Sequence, residues 1–144
     1  MYLLAELIRE ETLLWGVECG SWEELVGIDA KPLIELGLIE PRYLDSIKEA
    51  VEKHGAYMVL VDDVAFFHGR PEDGVNEYAM SLAVLKTPVY LLEKSIKAAF
   101  VFAAVDNSSH IDLLRELAEL LDNEEFYELL RNGGSRGDIA AYFQ

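Results

Sequence analysis

Two short apolar runs, Tyr78–Leu85 and Ala98–Val105, limit this chain more than any other feature. Each is eight residues long, far below the roughly 20 needed to cross a bilayer as a helix. Runs of this length and continuity suit strands buried on both faces. Ser81–Leu85 and Phe100–Val105 are therefore predicted as central strands of a sheet.

Helices to cover that sheet are legible on either side of it. Ser21-Trp22-Glu23-Glu24 forms a capping box and predicts a helix towards Leu36, which Pro32 should break or kink. Pro41 suits the first position of another helix. Tyr43, Leu44, Ile47, Ala50 and Val51 then form one apolar stripe, ended by Gly55. Asp106–Ser109 is a cluster of capping residues, and Ile111, Leu114, Leu117, Ala118 and Leu121 follow at helical spacing. Asp122 is expected to cap a helix through Leu130, and Ser135–Phe143 to add a final turn or two. Tyr2–Ile8 reads as a short helix, and Thr12–Glu18, Tyr57–Val61 and Val64–Phe67 as strands. Lys86–Lys97, with Pro88 inside it, reads as a connection plus a short strand. Strands alternating with helices imply an α/β layered fold over residues 1–144, with no linker or repeat to divide it.

Charge removes several function classes. Twelve Lys and Arg face 27 Asp and Glu, a formal net charge of −15. Neutralising phosphates needs a basic surface, so nucleic acid is an unsuited partner, as is an anionic membrane. Cys19 is the single cysteine, which excludes an internal disulfide and a cysteine-built zinc site. Glu6 interrupts the apolar Met1–Ile8 and no leading positive charge precedes it, so no signal peptide is expected. A soluble cytoplasmic protein is the expectation.

The chemistry rests on histidines. His54 ends the second stripe just before Gly55, a place where histidine answers a helix C-terminus. His68 ends Val64–Phe67 and precedes Gly69, Arg70 and Pro71. In an extended chain His68 and Arg70 share a face. An imidazole beside a fixed guanidinium suits a nucleophile that receives an anion. A strand-end histidine beside a loop arginine is equally compatible with these residues alone. His110 falls in the first turn of the Ser109–Leu121 helix, where the dipole keeps the ring neutral and free amides favour an anion. There, too, a plain capping role is compatible. No pair of histidines has the i, i+4 spacing of a helical metal site, no glycine-rich nucleotide fingerprint follows a strand, and no arginine in Ser21–Ile28 completes a cysteine-phosphatase loop after Cys19.

Three stretches together carry a resemblance. Gly55-Ala56-Tyr57 through Val61 leads into Ala65-Phe66-Phe67-His68-Gly69-Arg70-Pro71-Glu72-Asp73-Gly74-Val75. Met80–Leu85 with Pro88-Val89, and Ala103–His110, follow in order. This pattern resembles the enzyme IIA domains of the sugar phosphotransferase system, mannitol/fructose superfamily, and within it the ascorbate-type branch. Trp22-Glu23-Glu24 and Lys31-Pro32-Leu33 fit that branch too. Phe67 stands where the family usually has proline, and Lys53-His54 about where fructose and mannitol members carry Arg-Glu.

The resemblance implies a single layered sandwich, a mixed β-sheet flanked by helices. It implies that His68 is the phosphorylated nucleophile and that His110 hydrogen-bonds the phosphoryl oxygens, with Arg70 the candidate for charge neutralisation. The donor would be the carrier protein HPr. The acceptor would be a cysteine of enzyme IIB, which serves the membrane component IIC during uptake of a sugar or sugar-like acid such as ascorbate. No cofactor or metal is implied. A regulatory module of the same fold, its phosphorylation state read by a protein partner, is the alternative.

Overall fold

The computed structural model describes residues 3–143, without the side chains of Leu3, Ala56, Asn107, Ser109 and His110. In chain order it comprises α1 (Leu3–Leu7), β1 (Leu13–Val17), α2 (Trp22–Glu35), α3 (Tyr43–His54), β2 (Asp63–Phe67), β3 (Ala79–Leu91), β4 (Lys94–Ala103), α4 (Asn107–Leu121), α5 (Glu124–Arg131) and α6 (Arg136–Ala140). The four strands form one mixed sheet in the order β1-β3-β4-β2. The two apolar runs are its centre: β3 and β4 pair antiparallel, with Leu82 opposite Phe100 and Ala83 opposite Ala99. β1 joins β3 in parallel, and β2 joins β4 in parallel.

Side-chain alternation along the strands divides the core in two. Ala65, Phe67, Ala99 and Val101 pack with Leu25, Leu33, Tyr43 and Ile47 of α2 and α3. Val64, Phe66, Phe100 and Phe102 pack with Leu113, Leu117 and Phe126 of α4 and α5, and with Leu4 of α1. Both faces are thus covered, as the continuous apolar runs require. Completely burying a Phe such as Phe100 is worth about 1.5–3 kcal/mol.

Several local expectations need correction. Tyr57 lies in a 3₁₀ turn, Gly55–Met58, and Val61 makes only an isolated bridge to Val64, so Tyr57–Val61 is not a strand. Lys86–Lys97 is not a connection: β3 runs through Pro88 to Leu91 and turns directly into β4. The register shifts between Val84 and Val89, an irregularity that tolerates the amide proline lacks. α2, by contrast, reaches Glu35 as expected, with Pro32 inside its last turn. Asn123, not Asp122, caps α5: its side chain accepts the Phe126 amide at 3.1 Å. The Ser21 cap is as expected, accepting the Glu24 amide, but Glu24 reaches back to the Gly20 amide.

A buried acid ties α2 to the sheet. Asp29 and Ser81 are both fully buried. Ser81 Oγ lies 2.6 Å from the Asp29 carbonyl and 2.9 Å from its Oδ1. One hydroxyl hydrogen cannot serve both oxygens. Ser81 donates to the carbonyl at the shorter distance, and a neutral Asp29 carboxyl can donate back to Ser81 from Oδ1. Burial pushes the Asp29 carboxyl well above the usual carboxylate range, in keeping with that neutral form.

Candidate active site

Because β2 and β4 are parallel and adjacent, their C-terminal ends open at the same edge of the sheet. His68 follows β2 directly, and α4 starts at Asn107, just beyond β4. Topology therefore brings His68 and the first turn of α4 to one place. His110 is the fourth residue of that helix, and its side chain lies outside the described residues.

The half-buried His68 ring lies against Phe102, with centroids 4.9 Å apart and planes 26° from parallel. Its Nδ1 is 3.0 Å from the Phe66 carbonyl oxygen. A carbonyl only accepts, so Nδ1 carries a proton, and in the neutral form of the ring the lone pair then lies on Nε2. Phe67, at the position usual for proline in the family pattern, points to the opposite face. It is completely buried and stacks on Trp22 at 6.3 Å. The strand itself, held by its pairing with Val101 of β4, supplies the backbone approach to His68.

The next residues are held by α3. Gly69 N–H donates to the Tyr43 hydroxyl at 2.9 Å, and that hydroxyl donates to the Phe102 carbonyl at 2.9 Å. Burial, chiefly, pushes the Tyr43 hydroxyl up to about 12, so it stays a donor. Arg70 N–H donates to Ser46 Oγ at 3.0 Å, and Ser46 donates to Asp73 Oδ2 at 2.7 Å. Gly69 makes this approach possible: a Cβ there would lie 2.5 Å from Ser46 Oγ and 2.8 Å from its Cβ. The small residue thus admits α3.

Arg70 keeps an extended backbone just before the turn at Pro71–Asp73, and its Nε donates to Asp73 Oδ2 at 2.7 Å. Its other edge is 3.9 Å from Glu49. The Ser46 hydroxyl first, and then Arg70, hold the Asp73 carboxyl below its usual range. The largely exposed Arg70 guanidinium is thus shared between two carboxylates. His68, Gly69 and Arg70 together line a cleft of about 580 Å³ whose far wall is α3, including Glu49, Lys53 and His54. His54, read from sequence as a helix-end residue only, thus shares a cleft with His68.

Tyr43, Ser46 and Asp73 escaped the sequence reading. Tyr43 carried a usable signal, since a tyrosine on a buried stripe needs a partner for its hydroxyl. Ser46 carried none, because its partners Arg70 and Asp73 lie 24 and 27 residues away in the chain. Cys19 is half-buried, and burial raises its thiol pKa, opposite to what a reactive thiolate needs.

A mixed sheet between two helical layers, with a histidine at its carboxyl edge, is the frame of the enzyme IIA domains of the phosphotransferase system. The model of the family "Phosphoenolpyruvate-dependent sugar phosphotransferase system, EIIA 2" matches residues 6–144, and the chain belongs to that family. The ascorbate-specific PTS system EIIA component of Shigella boydii is 32% identical over 135 residues, covering 91% of this chain and 88% of that one. The ascorbate-specific component of Escherichia coli is 31% identical over the same coverage. Among solved structures, the mannitol-specific cryptic phosphotransferase enzyme IIA CmtB of Escherichia coli superposes with a TM-score of 0.87 at 30% identity, covering 97% of both chains. The Escherichia coli mannitol enzyme IIA in complex with phosphorylated enzyme IIB shares the fold, with a TM-score of 0.81 at 20% identity over 95% of this chain and 98% of that one.

Proposed function

We propose that this EIIA protein carries a phosphoryl group on His68 Nε2, taken from the phosphohistidine of HPr and passed to a cysteine of enzyme IIB. The observation that carries the reading is the contact of His68 Nδ1 with the Phe66 carbonyl, which reserves Nε2 for attack. In the first step the Nε2 lone pair attacks phosphorus and the P–N bond to HPr breaks, its electron pair returning to the HPr imidazole. In the second, the IIB thiolate forms an S–P bond as the P–N bond to His68 breaks. Such transfers pass through a loose transition state with charge on the peripheral oxygens, so placing the group and neutralising it are the protein's main tasks.

His110, at the start of α4, donates a hydrogen bond to a phosphoryl oxygen, and the helix amides add to the same field. Arg70, held rigid by Asp73, supplies positive charge beside the group. The similarity to ascorbate-specific relatives supports ascorbate, or a related sugar acid, as the transported compound, moved through a IIC partner. Among the described residues no helix is long and apolar enough to cross a membrane, which fits a cytoplasmic carrier that meets IIC only through IIB.

Incubation with phosphoenolpyruvate, enzyme I and HPr should add one acid-labile phosphoryl group, with a phosphorus–nitrogen coupling at Nε2. His68→Ala should remove it. Full labelling of His68→Ala at another residue would overturn the assignment.

A further inference from the structure

Two buried hydroxyls on α3, one helical turn apart, take the two backbone amides that follow His68. Tyr43 accepts Gly69 N–H and Ser46 accepts Arg70 N–H, at 2.9 and 3.0 Å. Both groups also donate: Tyr43 to the Phe102 carbonyl, Ser46 to Asp73. The Tyr43 hydroxyl also lies 3.4 Å from the Gly69 carbonyl, but the Phe102 carbonyl is the nearer acceptor, and Ser46 directs its hydrogen to Asp73. The Tyr43 bridge ends on the residue whose ring lies against His68. The Ser46 bridge ends on the carboxylate that holds Arg70.

We infer that Tyr43 and Ser46 are positioning residues for the phosphoryl site, a double clamp that sets the His68 ring and the Arg70 side chain together. The clamp rests on the reading of His68 as the phosphoryl carrier. Loosening Gly69 frees the backbone beside His68, so the ring loses its fixed stack on Phe102 and its Nδ1 contact with Phe66. Loosening Arg70 N–H and Asp73 together frees the guanidinium. The clamp acts through the Gly69 and Arg70 backbone and through Asp73, so its loss falls on the transfer step more than on binding of HPr.

Three measurements test it. In the wild-type protein the Gly69 and Arg70 amides lie outside every helix and strand, yet they should exchange with solvent about ten-fold or more slowly than unbonded loop amides. Exchange at the unbonded rate would overturn the clamp without any variant. Tyr43→Phe deletes only the hydroxyl, and Ser46→Ala only its counterpart. Each should slow single-turnover transfer from phospho-HPr about ten- to a hundredfold, with a smaller effect on half-saturation. Tyr43→Phe should also turn the single Nδ1–H tautomer of His68 into a mixture, read from the ring nitrogen shifts. Folded variants that keep wild-type rates would refute the inference. If Tyr43→Phe fails to fold, Ser46→Ala and the wild-type exchange decide. If the wild-type protein takes no phosphoryl group at His68, the functional reading fails, while amide exchange and the tautomer still decide the clamp.

Discussion

The His68 ring rests on Phe102 with 4.9 Å between centroids. Phe102 itself is completely buried in the face covered by α4 and α5. The sheet core thus supplies the surface on which the His68 ring rests.

Phe102→Leu keeps most of the buried volume but removes the flat surface under His68. It leaves a small cavity in a completely buried place and should cost on the order of 1–3 kcal/mol of stability. Phosphoryl acceptance should fall by more than that loss accounts for. Thermal unfolding and single-turnover labelling on the same preparation separate the two. A variant that labels at the wild-type rate would show that the stack does not orient the ring.

His110→Ala should still accept phosphate on His68, but about 10²–10³ more slowly, the usual loss for one donor in a preorganised site. His110→Gln keeps a donor and should recover part of the rate. Rapid-quench transfer from phospho-HPr, and onward to IIB, is the measurement. Wild-type rates for His110→Ala in both steps would leave His110 as a plain helix-start residue.

Asp29 makes stability depend on pH in an unusual direction for a carboxyl group. Its folded pKa lies above the unfolded value, so its contribution is complete below about pH 3.9 and is lost as pH rises through the folded pKa. Asp29→Asn retains a donor for Ser81 and carries no proton to lose. It should be more stable than wild type at pH 7, with a flatter profile when measured from about pH 5 to 8.5. Urea unfolding across that range checks it. A destabilised Asp29→Asn at pH 7 would mean the acid is ionised in the fold.

Asp73 has the opposite sign. Its folded pKa is depressed, so its contribution is present above about pH 3.9 and is lost as pH falls through the folded value. Acidification below pH 4 should therefore release the Arg70 guanidinium before the sheet melts. Asp73→Asn should show the same release at pH 7. The Arg70 Nε–H resonance reports it, and a signal unchanged in Asp73→Asn would contradict the latch.

Much of the fold was written locally. The two apolar runs identified β3 and β4, and the stripe beginning at Tyr43 identified α3, because burial on both faces and burial on one face leave different periodicities. The hairpin through Pro88 was hidden, since a proline argues against a strand and only the register shift beside it resolves the conflict. In the site, His68 was legible as a strand-end histidine with an anion-binding neighbour, and the resemblance singled it out. The hold of Ser46 on Arg70 and Asp73 was not legible. It depends on α3 crossing behind a loop that follows later in the chain, and on Gly69 leaving room for it.

The strand order also dictates when during folding the reactive centre comes into being. β3 and β4 are joined by a tight turn and can pair early, whereas Leu13 must find Leu82 and Phe66 must find Phe100 across long intervening chain. Closing those loops costs entropy that only the completed pairing repays. Substitutions in the β3–β4 hairpin should therefore slow folding, and substitutions in β2 should mainly hasten unfolding, a contrast that φ-values read directly. With His68 as the phosphoryl carrier and β2 the later strand to pair, a half-assembled chain would accept no phosphoryl group, and label would mark only the finished fold.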